Sequence, residues 1–174
     1  MLRSSFLALI LSAGAAYAQS CELAFTIEVT QGVGMIRPGT ELDGSVSFVT
    51  SGDRFRQEDG VVAHLLEGEM RLEPDIRGGV WTMITTMRDF GTDLVSVYAK
   101  DVTGFSFAGV RFDGPMVLTL YGAPGTRADQ NPPQSQADWD ELDLRRSFQL
   151  HAFGGNDMLG GDITALEAEC SDLG

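Results

Sequence analysis

Cysteine is nearly absent from this chain, and histidine and lysine are scarce. The cysteines are Cys21 and Cys170, the histidines His64 and His151, and Lys100 is the only lysine. So few soft ligands exclude a zinc module built on paired cysteines. The glycine fingerprints of phosphate and dinucleotide loops are missing, and so is the Gly-x-Ser-x-Gly elbow of a serine hydrolase. Positive charge is also in short supply: 12 Lys and Arg stand against 25 Asp and Glu, a net charge of −13. That balance opposes contact with nucleic-acid phosphate or an anionic membrane face, so no nucleic-acid partner is expected. No long apolar run follows residue 18, and no repeat of a whole structural unit is visible.

What is present begins with a targeting pattern. Arg3 gives a positive start, Phe6 to Leu11 an apolar segment, and Ala16-Tyr17-Ala18 a small-residue cleavage site. Residues 1–18 are therefore expected to be a cleaved signal peptide, leaving 19–174 in the periplasm or the medium without a membrane span. Cleavage also removes Arg3, which makes the remaining chain one unit more negative. Ala18-Gln19-Ser20 lacks the residue order of a lipoprotein signal ahead of Cys21. In an oxidising compartment Cys21 and Cys170 are expected to form a disulfide. Glu22, Glu169 and Asp172 around them disfavour a reactive thiolate.

The remaining residues are enough for a single core, so residues 19–174 are expected to form one β domain. Leu23, Phe25, Ile27 and Val29 alternate with polar residues, as on a half-buried strand. A second strand through Val46 and Phe48 is expected to end at Gly52-Asp53, with Arg54 to Gly60 as an exposed charged loop. Val61 to Leu72 carries both periods; its alternation favours a strand, and Gly68 disfavours a helix by about 1 kcal/mol. Trp81 to Met87 follows, with Val80, Thr82, Ile84 and Thr86 on its other face, then Leu94 to Ala99, Thr103 to Ala108 and Met116 to Tyr121. Short strands at regular spacing predict an all-β, antiparallel sandwich or jelly roll, with a lipocalin-like barrel as the alternative.

Gly122 to Asp143 breaks this texture. Pro124, Pro132 and Pro133 with Asn, Gln and Asp predict a long polar loop, open to proteolysis at Arg127. Trp139 is its one large apolar anchor, and Asp138 to Leu144 is expected to form a helical turn. The chain then closes with Ser147 to Cys170, two apolar runs joined by Gly154-Gly155-Asn156-Asp157, the composition of a hairpin.

Gly154 to Asp162 resembles the calcium-binding nonapeptide repeats of secreted toxins and proteases. It departs from them at Asp157, where that family has glycine, and it occurs once where stacked coils need several copies. Asp138, Asp140, Glu141 and Asp143 are the densest acid cluster. Its aspartates Asp138, Asp140 and Asp143, with Asn156, Asp157 and Asp162, are the calcium candidates. The first cluster fails the EF-hand spacing at Leu142, Asp143 and Gln149, and it reads equally well as a solvated helix start. No cofactor is therefore expected, calcium being the one ion worth testing.

Phe105, Phe107, Phe112 and Tyr121 fit a core or the rim of a ligand mouth, and burial statistics favour the core. His64 and His151 lie in apolar strand patterns, which suits packed side chains better than general bases. The sequence thus points to an exported, non-enzymatic binding or surface-interaction module for a protein, glycan or small molecule. The alternatives are a hydrolase or carbohydrate-active enzyme working through strand-borne carboxylates, and a calcium-dependent interaction module.

Overall fold

A computed structural model describes residues 18–87, 91–104, 110–152 and 157–173. The expected signal peptide, apart from Ala18, lies outside these residues, as do Phe105, Phe107 and Asn156. Among the described residues the strands run β1 Gln19–Gln31, β2 Glu41–Glu58, β3 Val61–Leu72, β4 Ile76–Met87, β5 Asp93–Thr103, β6 Phe112–Gly122, β7 Arg145–Ala152 and β8 Met158–Asp172. One short helix, α1 (Gln136–Asp140), lies between β6 and β7. Each strand pairs antiparallel with its neighbours in sequence, and β8 returns to β1, so the sheet is a closed barrel.

The sandwich or jelly roll expected first is therefore corrected in favour of the barrel. Alternation marks one buried face per strand in either architecture. Only accumulated twist and tilt decide whether the last strand reaches the first. The one long connection, residues 123–144, joins strands that are neighbours in the barrel, so no crossover between two sheets is made.

Inward-facing residues fill the interior. Cys21, Leu23, Phe25, Ile27 and Val29 of β1 are all buried, as the alternation of that stretch requires. Phe25 meets Phe148 of β7 with ring centroids 5.8 Å apart. Phe112 is buried in the same cluster. Eight strands enclose a space just wide enough for side chains to close. Gly44 makes room for one of them: a Cβ there would lie 2.3 Å from the Phe25 ring. At Gly68 a Cβ would meet the Ser47 carbonyl oxygen at 1.9 Å, so this glycine serves a close approach of β2 and β3.

Register shifts in β2 and β4 alter the expected surface of the barrel. β2 continues through the charged run to Glu58, with register shifts between Thr50 and Arg54 and between Arg54 and Arg56. Bulges of this kind keep the backbone paired while turning side chains into water, which leaves Arg54, Phe55 and Arg56 exposed. β4 carries a shift between Val80 and Thr82. It splits the expected face, leaving Trp81 37 % exposed while Met83 is buried.

Residues 123–144 are not an open loop. They form a strap across one mouth of the barrel, and Arg127, the expected cleavage site, is only 8 % exposed. Composition missed this because two residues, Trp139 and Leu142, carry the docking, and both are fully buried.

Candidate functional site

The strap is fixed to six strands. Ser135 caps α1, its hydroxyl accepting from the Asp138 amide, and Arg146 of β7 donates to the carbonyls of Leu142 and Trp139 at 2.8 and 3.1 Å. Both ends of this five-residue helix are thereby satisfied. Gln136 binds β8, donating to the Leu166 carbonyl and accepting from the Ala168 amide. Asp93 of β5, wholly buried, accepts from the Arg127 amide at 2.8 Å. Arg54 of β2 donates to Asn131.

The remaining anchor is polar and interior. His64 of β3 and Thr85 of β4 both reach the Gln130 carbonyl, at 2.8 and 2.6 Å. His64 is 4 % exposed. Burial lowers its proton affinity most, Arg54 adds to that, and the Gln130 bond and Asp129 oppose it; the net direction is downward. Asp138 moves the other way relative to its burial. Partial burial works against its charge, but the Gln134 amide, the Ser135 hydroxyl and Arg127 outweigh it and hold the carboxyl below the usual carboxylate range.

The outer wall carries two further features. On β8, β1, β2 and β3 the register sets Glu169 opposite Glu22, Glu22 opposite Ser47, and Ser47 opposite Glu69. In the neighbouring row Glu167, Ala24, Ser45 and Arg71 follow in the same way. Small side chains between long ones leave an open groove of about 450 Å³, bordered by acids. Arg71 is paired to Glu69 within it.

Further round the barrel, Phe55 of β2 packs on Trp81 of β4 with ring centroids 6.1 Å apart, and the Lys100 ammonium of β5 lies 5.5 Å from the indole centroid. Phe55 is 51 % and Leu65 of β3 45 % exposed, so this is an apolar patch on a wall otherwise rich in charge. Sequence reading placed Phe55 in an exposed stretch but did not bring Trp81 out beside it. The irregularity between Val80 and Thr82 that turns Trp81 outward leaves no mark in the hydrophobic pattern.

The residues singled out beforehand are dispersed. Cys21 and Cys170 form the expected disulfide, which points to a compartment outside the reducing cytoplasm. Asp138 and Asp140 belong to the strap and bind its own groups, and Asp143 follows them. Asp157 lies at the opposite mouth, where its carbonyl accepts from Ala152. Asp162 stands exposed on β8, opposite Glu28 and Ser147. His64 lies under the strap, whereas His151 pairs with Met158 at the far end of β7, so the two histidines do not meet. Among the described residues no three acids, histidines or cysteines converge as a metal site.

These features define the class as a small closed antiparallel β-barrel with a strapped mouth. No protein-family model, curated protein or solved structure matches the chain.

Proposed function

We propose that this is an exported, non-enzymatic binding module that meets its partner with its outer wall rather than its interior. The supporting observation is the exposed Phe55–Trp81 pair with Lys100 against it. The interior is occupied by its own core, so a ligand entering the barrel would have to displace packed side chains. Exposed aromatic rings next to a cation suit a partner with an apolar or ring-shaped face and an acidic or hydroxyl group beside it. A peptide and a glycan both qualify. The wall is apolar inward and charged outward, the reverse of a barrel that faces lipid, and this favours a water-borne protein.

The test is an amide chemical-shift titration of the oxidised protein with panels of soluble glycans and peptides. Shifts grouped on Phe55, Leu65, Trp81 and Lys100, and lost in Phe55→Ser, are expected. Shifts grouped on core residues would overturn the reading. The acidic groove supports a second reading, hydrolysis by paired carboxylates, because Glu22 and Glu169 are directly opposed there. Turnover of any panel member, abolished in Glu22→Gln or Glu169→Gln, would establish that alternative.

A further inference from the structure

The sheet closes on itself unevenly. β7 meets β8 only from Ser147–Asp162 to His151–Met158, whereas β8 runs on beside β1 as far as Asp172. Residues 163–172 therefore have a strand on one side alone. Which of their main-chain groups are left over follows from the ladder. In an antiparallel pair the N–H and C=O of successive residues point alternately toward the partner and away from it. The Leu173 amide donates to the Ala18 carbonyl, so Leu173 and its alternate neighbours Ser171, Glu169 and Glu167 turn toward β1. Leu166, Ala168, Cys170 and Asp172 turn the other way. Gln136 of α1 uses that direction: its side-chain amide donates to the Leu166 carbonyl and accepts from the Ala168 amide, as a neighbouring strand would. Beyond it, among the described residues, no group takes the Ala168 carbonyl, the Cys170 amide and carbonyl, or the Asp172 amide. Ala168 and Cys170 are half-buried, and Ser171 and Asp172 are exposed, so this edge is open to water.

We propose that the free edge of β8 is a strand-addition site for an extended, basic segment of a partner protein. An unpaired edge offers main-chain hydrogen bonds to any extended chain, and the alternate side chains decide which chain fits. On the outer face an added strand lies beside Glu167 and Glu169, with Glu22 directly across from Glu169 on β1. Opposite charges on neighbouring strands stabilise a pairing and like charges weaken it, so lysine or arginine belongs at alternate positions. On the inner face the neighbours are Ala168 and the Cys21–Cys170 disulfide, which suit an aliphatic side chain. A second copy of this chain fits poorly, because it brings the same carboxylates and a net charge of −13. The disulfide also serves the site. It ties β8 to β1 at the residue that offers both a donor and an acceptor, so the edge is ordered before a partner arrives. This surface lies on β8, apart from the Phe55–Trp81 pair on β2 and β4, and so adds to the reading given above.

The probe is a capped heptapeptide of alternating lysine and valine, added to the full oxidised chain. In an antiparallel pairing with valine on the inner face, the valine amides face β8 and the lysine amides face water. One analogue is N-methylated at the valines, a second at the lysines, and a third carries glutamate in place of lysine. Binding is followed by fluorescence anisotropy, and the edge by hydrogen exchange read amide by amide. The parent peptide is expected to slow exchange at Cys170 and Asp172 several-fold. The lysine-methylated analogue should bind nearly as well, and the valine-methylated and glutamate analogues several-fold more weakly. On the protein side, Asp172→Pro removes an N–H that β1 does not use and should weaken binding several-fold relative to Asp172→Asn. Phe55→Ser should leave it unchanged. No binding of the parent peptide overturns the proposal, as does binding without protection of Cys170 and Asp172. Equal binding of the two methylated analogues would reduce the contact to charge alone and overturn it too. Protection of the same amides on raising protein concentration without peptide would make a second copy the occupant, against the proposal.

Discussion

Cys21 and Cys170 are 149 residues apart in sequence and face each other across the β1–β8 junction, their Cα atoms 4.1 Å apart. The bond therefore lies on the one strand pair of the barrel that joins the two ends of the chain, where closure costs the most entropy.

Removing that bond should destabilise the barrel without abolishing it. The chain-entropy model gives about 5 kcal/mol for so long a loop, and native disulfides cost about 2–5 kcal/mol in practice. Calorimetry of the Cys21→Ala/Cys170→Ala protein should show a lower melting temperature with one cooperative transition. Two free thiols by mass spectrometry of protein isolated without reductant would contradict the bond itself.

Trp139 should rank as the main anchor of the strap. Trp139→Ala leaves a large cavity and should cost about 3–5 kcal/mol. Trp139→Phe keeps an aromatic ring and removes an indole N–H that has no partner among the described residues, so it should cost much less. At pH 8 trypsin should spare the bond after Arg127 in the parent protein and in Trp139→Phe, and cut it rapidly in Trp139→Ala. Equal cleavage of all three would mean that Trp139 does not hold the strap.

Asp138 should shape the acid limb of the stability curve. Its carboxyl is held below the ordinary value of about 4, so it stabilises the fold above that value and the contribution fades as pH falls through the folded one. Chemical denaturation between pH 6 and pH 2.5 should show a flatter acid limb in Asp138→Asn. The mutant should also be weaker at pH 6, because Arg127 then lacks its nearest counter-ion. Parallel curves would show that the carboxylate is not coupled to folding.

Calcium should produce no selective stabilisation. Asp138 and Asp140 are engaged within the strap, and Asp157 lies at the other mouth. A specific site would add about 2.7 kcal/mol at a hundredfold excess over its dissociation constant. Melts in calcium and magnesium at equal ionic strength should therefore coincide. A calcium-selective rise, lost in Asp140→Asn or Asp157→Asn, would make this a calcium-dependent module.

Much of this protein is legible in one dimension because its signals are local. The face of β1, the strand character of Val61–Leu72 and the pairing of two lone cysteines follow from alternation, glycine placement and count. The bulges after Thr50 and Val80 are different. They insert extra residues on one strand against its partner without altering the pattern of residue types, and so Trp81 stands exposed beside Phe55 where the alternation gave no warning. The strap shows the same limit from the other side. Its polar, proline-bearing composition describes what most of it touches, which is water, whereas its position is set by Trp139, Leu142 and hydrogen bonds to β2, β3, β4, β5, β7 and β8.

The sequence by itself determined that the chain builds antiparallel strands with one apolar face each and carries a clasp near its ends. Tertiary structure decided that the sheet closes on itself, that His64 lies under Gln130, and that an aromatic pair is left outside. The reason is physical: burial periodicity is a property of each strand. Closure, register shifts and which loop covers which mouth come from twist and tilt summed over all eight strands, and no single segment encodes that sum.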